Sequence, residues 1–139
     1  MEKTHFCAMA DCSRNAVMKP EKVKEFATYL KKLGYDSLML YTEDTYEVDG
    51  EPYFGYFRGR YGKEELKDAD AYLKSIGMEL IPCVQTLAHL KNIFRWGKYC
   101  EIRDAEDVLL CGNERTYTLI DNMFKTISEC FSSKTVHIG

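Results

Sequence analysis

The sequence predicts an α/β fold: the N-terminal half, about four β/α units, of a (β/α)8 barrel. Three observations carry this. Short apolar runs of strand length alternate with longer segments of helical periodicity, in the order β-α-β-α-β-α-β. Strict alternation of this kind argues a parallel sheet with crossover helices. The connections after the second and third runs are long, and in such folds these lie at the strands' C-terminal ends, where active sites are built. A full barrel takes about 250 residues, and this chain has 139.

The first strand is Phe6-Cys7-Ala8-Met9-Ala10, ending at Asp11. Pro20 then suits a first helical position. Val23, Phe26, Ala27, Leu30 and Leu33 recur at helical spacing before Gly34 closes the helix. Ser37-Leu38-Met39-Leu40-Tyr41 is the second strand, bounded by the acidic pair Glu43-Asp44. Residues 42 to 62 form a long aromatic-rich connection, a length that usually marks function. A second helix starts near Lys63, with Leu66, Ala69, Leu73 and Ile76 inward and Gly77 at its end. Glu79 to Val84 is the third strand, although Pro82 removes a ladder donor there. The connection from Gln85 to Gly112 is expected to hold a short helix around Leu87 to Trp96. Asn113 caps a third full helix, with Tyr117, Ile120, Phe124, Ile127 and Phe131 on its buried side. Thr135 to Gly139 is the fourth strand. The whole chain, 1–139, is expected to be one truncated catalytic half-barrel.

Composition narrows the function classes. A net charge of −3 argues against nucleic acid or an anionic membrane as partner. No apolar stretch approaches the roughly 20 residues of a spanning helix. The six cysteines form no C-x-x-C pair, which argues against zinc, and no cofactor is implied. With no apolar leader, they are expected to be reduced, mostly buried thiols of a cytoplasmic protein. Ten tyrosines suit packing or the stacking of sugar rings.

Each strand delivers polar groups to one rim. Strand one gives Asp11 and Arg14, strand two Glu43 and Asp44, strand three Gln85 and His89, and strand four His137. Singly, each has a plain structural reading. Arg14 serves as a surface ion-pair partner, Glu43-Asp44 as a strand terminator, His89 as a helix-start residue and His137 as a core histidine. Together they fall at the same register after successive strands. An Arg, two carboxylates and a His suit sugar hydroxyls and proton transfer.

These segments resemble glycoside hydrolase family 20, the β-N-acetylhexosaminidases. The resemblance is carried by Asp11-Cys12-Ser13-Arg14, by Leu38 to Glu47, by Ile81 to His89 and by Val136-His137-Ile138-Gly139. The third is looser: the family's Pro-Gly before the His is replaced by Leu87-Ala88. The resemblance implies a (β/α)8 barrel that removes terminal N-acetylhexosamine from glycans, the sugar's own acetamido oxygen attacking the anomeric carbon. It implies that Arg14, with Asp11 and His137 nearby, holds substrate. It also implies that one of Glu43 and Asp44 partners His89, which supports the general acid. The family's catalytic Asp-Glu pair follows the end of strand four, and here the sequence stops at Gly139. The expectation is a fragment inactive alone. The alternative is a non-catalytic carbohydrate-binding module, or a half-barrel that self-associates through its open edges.

Overall fold

The structure, a computed structural model, describes residues 4–14 and 16–139. Three five-residue strands, β1 (Cys7–Asp11), β2 (Ser37–Tyr41) and β3 (Glu79–Cys83), form a parallel sheet in chain order. The register sets Asp11 beside Tyr41 and Tyr41 beside Cys83, so all three strands end level with one another. The crossovers are α1 (Pro20–Lys32) and α2 (Lys63–Ser75), and α3 (Glu114–Cys130) follows the β3 connection. Pro20 opens α1, the Glu65 carboxylate accepts the Gly62 N–H at 2.8 Å ahead of α2, and the Asn113 side chain accepts the Arg115 N–H to cap α3.

One face of the sheet meets the helices. Leu38, Leu40, Leu80 and Val84 join Val23, Ala27, Leu66, Leu73, Leu119 and Met123 in a single core. Residues alternate between faces along a strand, so Met9, Met39 and Ile81 point the other way. Met9, with 52% of its surface exposed, shows how open that second face is at the β1 edge.

Five expectations change. Residues 135–139 do not form a fourth sheet strand. They make one parallel bridge, His137 opposite Cys83, through His137 N–H to the Pro82 carbonyl and Val84 N–H to the His137 carbonyl, both 2.9 Å. With a neighbour on one side only, Thr135, His137 and Ile138 stay exposed, and the four-unit sheet reduces to three strands. The Pro82 carbonyl points toward this edge and away from β2, so the missing N–H weakens no bond to β2.

The segment 87–96 forms no α-helix. Two 3-10 helices, Ile93–Arg95 and Gly97–Ile102, lie further along. The buried face of α3 is turned from the expected one: Thr116, Leu119, Met123, Ile127 and Cys130 are inside, while Tyr117 is exposed. Two apolar stripes share that helix, and the core takes the one with smaller residues. Leu33 is exposed as well, because it caps α1 instead of lying within it. Finally, all six cysteines are free, but only Cys12, Cys83 and Cys130 are buried. No helix is long and apolar enough to cross a membrane among the described residues.

Candidate active-site rim

The β1 end is built around Asp11. One carboxylate oxygen accepts the Ser13 N–H at 2.9 Å and the Ser13 hydroxyl at 2.7 Å, and the other is paired with Arg14. Burial works against this carboxylate, but Ser13 and Arg14 together hold it below the ordinary range. Arg14 lies over the Tyr41 ring, 5.2 Å from its centroid, with its guanidinium largely open to solvent. It is therefore oriented yet free to meet a ligand.

The two acidic residues after β2 are both buried and have different partners. Asp44 takes the Arg58 Nε at 3.1 Å, and Arg58 also donates to the Ser13 carbonyl. That guanidinium ties the β2 connection to the β1 loop, with the Thr45 hydroxyl on the Cys12 carbonyl (3.1 Å) beside it. Burial still raises the Asp44 pKa in spite of Arg58. Glu43 makes no hydrogen bond among the described residues. Burial raises its pKa as well, and the charges that oppose the rise are Arg14, Arg58 and His89. Glu43 is thus largely buried yet keeps its carboxylate oxygens free of protein partners among the described residues, and a carboxylate with a burial-raised pKa beside an arginine is a functional candidate.

After β3, Gln85 is buried and His89 is exposed with φ of +61°, a conformation uncommon outside glycine. The His89 ring lies on Asp107, Nδ1 to Oδ2 at 3.4 Å, and its N–H reaches the same carboxylate oxygen at 3.3 Å. The structure thus pairs His89 with Asp107, and Glu43 feels its charge without bonding to it. A cleft of about 340 Å³ lies between residues 85–89 and Ile138-Gly139. His137 precedes these last residues, its Nδ1 3.4 Å from the Cys83 sulfur, whose thiol burial pushes up to about 11.

Sequence reasoning missed Arg58, Asp107 and Glu51, which lie in connections without periodicity. Glu51 is a buried hub: Arg115 Nη2 at 2.6 Å, Tyr99 hydroxyl at 3.0 Å, Asn122 Nδ2 at 3.2 Å and Lys98 Nζ at 3.3 Å. It fastens the β2 connection to α3. Tyr46 is buried against Phe54, and its hydroxyl has no partner among the described residues. The described residues contain no cluster of three metal-ligating side chains.

Comparison with known proteins places this arrangement. No family model and no characterised protein matches by sequence. Solved structures do match. Against an exo-β-N-acetylglucosaminidase of Vibrio harveyi from glycoside hydrolase family 20 the TM-score is 0.87 at 18% identity, covering 97% of this chain and 27% of that one. Against a β-hexosaminidase of Streptomyces plicatus, a variant in complex with its product GlcNAc, it is 0.85 at 20% identity, covering 96% and 32%. For a β-N-acetylhexosaminidase of Bacteroides fragilis it is 0.82 at 17%, covering 97% and 31%. The resemblance drawn from the sequence thus holds in three dimensions, and it establishes the fold: a parallel strand–helix segment of the family 20 barrel type. The chain spans about a third or less of the length of these structures.

Proposed function

We propose that this chain is the rim-forming N-terminal segment of a β-N-acetylhexosaminidase catalytic barrel. Its task is to hold the terminal N-acetylhexosamine of a glycan for substrate-assisted cleavage. The observation that supports this most is the convergence of Arg14 and Glu43 on the C-terminal end of a parallel sheet that matches family 20 structures. Arg14 takes sugar hydroxyls with its open guanidinium, steadied by Asp11 and Tyr41. Of the two acidic residues, Glu43 takes the active role, because Asp44 is committed to Arg58 while Glu43 is unbonded and electrostatically coupled to Arg14 and His89. His89, held by Asp107, supports the general acid, and His137 lines the neighbouring edge. The cysteine usage of the sequence leads us to propose a reducing, cytoplasmic setting.

The segment spans about a third or less of the family 20 structures it matches, so by itself it is expected to bind sugar without turnover; loss of a general acid alone lowers rates by about 10²–10⁴. A chromogenic N-acetylglucosaminide tests this directly: no release is expected, whereas release dependent on Glu43 contradicts the mechanism. A second reading, self-association, rests on the open sheet face, where Met9 (52% exposed) and Phe6 (55%) lie along the free β1 edge. Light scattering at micromolar concentration decides it, a clean monomer counting against it.

A further inference from the structure

We propose that Tyr53, Tyr56, Phe57 and Trp96 form a preorganised platform that stacks a second sugar ring, beyond the terminal one held at the rim. The inference deepens the hexosaminidase reading above and rests on it for the identity of the neighbouring ring. Three of these residues come from the β2 connection and the fourth from between the two 3-10 helices. Tyr53 stacks on Trp96 at 5.3 Å and 27°, Tyr56 meets Trp96 edge-on at 5.4 Å, and Tyr56 lies 4.2 Å from Phe57.

The patch is not unfinished core. The same connection buries Phe54 completely and Tyr46 nearly so, and Trp96 is anchored by partial burial against that core, while Tyr53, Tyr56 and Phe57 stay exposed. Phe57 is 81% exposed and has φ of +61°. Exposure of an aromatic ring and a left-handed backbone at a bulky residue are each unfavourable. Strain of this kind persists only where the surroundings enforce it, and it gathers at ligand clamps.

The enforcing contacts are identifiable. Before Phe57, Gly55 packs on the Asp44 carbonyl so tightly that a Cβ there falls 2.0 Å from the oxygen. After it, Arg58 is fixed to Asp44 and to the Ser13 carbonyl. Both clamps are anchored on Asp44, so the platform keeps a fixed position relative to Glu43 and Arg14. The chemistry of the surface fits a neutral pyranose. Aromatic faces suit its C–H face, and the Tyr53 and Tyr56 hydroxyls make no hydrogen bond among the described residues, so they are available to its hydroxyls.

Trp96 is the sole tryptophan of the chain, and its fluorescence reports on the platform alone. The experiment titrates the full chain with N-acetylglucosamine and with chitotriose, following Trp96 emission and the backbone amides of Arg14 and Glu43 by NMR. Chitotriose is expected to change Trp96 emission saturably and to bind about tenfold more tightly than the monosaccharide, one buried aromatic contact being worth about that factor. Phe57→Ala is expected to lose most of this gain while monosaccharide shifts at Arg14 persist. Phe57→Gly, which suits φ of +61° and so retains the fold, is expected to do the same.

If Trp96 is silent to chitotriose while the Arg14 amide responds to the monosaccharide, the platform is wrong and the rim reading stands. If Trp96 responds and the rim amides are silent, the platform stands and the rim reading fails. Silence at both overturns both. Concentration-dependent Trp96 emission without sugar, together with a dimer mass, assigns the patch to a second copy of the chain and overturns the sugar platform.

Discussion

Replacing Glu51 with Gln removes one negative charge from a site where it meets three hydrogen-bond donors and a lysine, and changes little else in shape. The bond from Arg115 at 2.6 Å is the shortest, and Glu51 is only 2% exposed. Breaking a buried pair by removing one partner costs about 3–5 kcal/mol. Solvent reduces this, because the Arg115 side chain is 20% exposed and that of Lys98 39%, and a neutral Gln is easier to bury. The expected net loss is about 3 kcal/mol, near the upper value for a charge-assisted hydrogen bond. For a domain of this size that lowers Tm by roughly 10 °C.

The pH dependence is a separate check on Glu51. Burial alone raises its pKa, but the hydrogen bond and charge of Arg115, with Tyr99 and Lys98, outweigh burial and leave it lowered from the ordinary 4.5. A lowered carboxylate stabilises fully above its unfolded value and loses that contribution as pH falls through the folded one. The gap between wild type and Glu51→Gln in urea melts is therefore expected to be constant near neutral pH and to close below about pH 4.5. A loss under 1 kcal/mol, or a gap that persists at low pH, refutes the hub.

The other expectations concern the rim. Glu43→Gln is expected to raise Tm at pH 7 by a few degrees. Burial raises the Glu43 pKa, so its ionisation costs stability as pH climbs above 4.5, and the difference from Gln is expected to vanish below that pH; equal melts at pH 7 count against an uncompensated carboxylate. Arg58→Ala leaves Asp44 buried and unpaired and is expected to cost about 3 kcal/mol in chemical denaturation. Gly55→Ala combines φ of +66° with the 2.0 Å approach to the Asp44 carbonyl and is expected to cost about 3 kcal/mol or more, where a loss below 1 kcal/mol contradicts the clamp.

How much of this was readable in the sequence depends on whether a local rule applied. β2, α1 and α2 were legible because apolar run length, Pro20 and the helical spacing of Leu66, Ala69 and Leu73 are local signals. The face of α3 was misjudged because two apolar stripes satisfy helical periodicity and only packing selects between them. The fourth strand had strand composition, but pairing requires a neighbour, which composition does not supply. The placement of Arg14, Glu43 and Asp44 just past strand ends was legible from register. Their different partners were not, because Arg58 reaches Asp44 from a connection whose path no periodicity fixes. Asp107 was hidden for the same reason. A carboxylate such as Glu51, embedded among aromatics and so in need of partners, was the signal available for the hub.

The central claim is that Arg14 and Glu43 hold an N-acetylhexosamine at the end of the sheet. An ¹⁵N NMR titration with N-acetylglucosamine, run on wild type and on Arg14→Ala, tests it most directly. Saturable shifts confined to the amides around Arg14, Glu43 and His89, and lost in Arg14→Ala, are the predicted result. Absence of saturable shifts, or shifts that survive the loss of Arg14, contradicts the account.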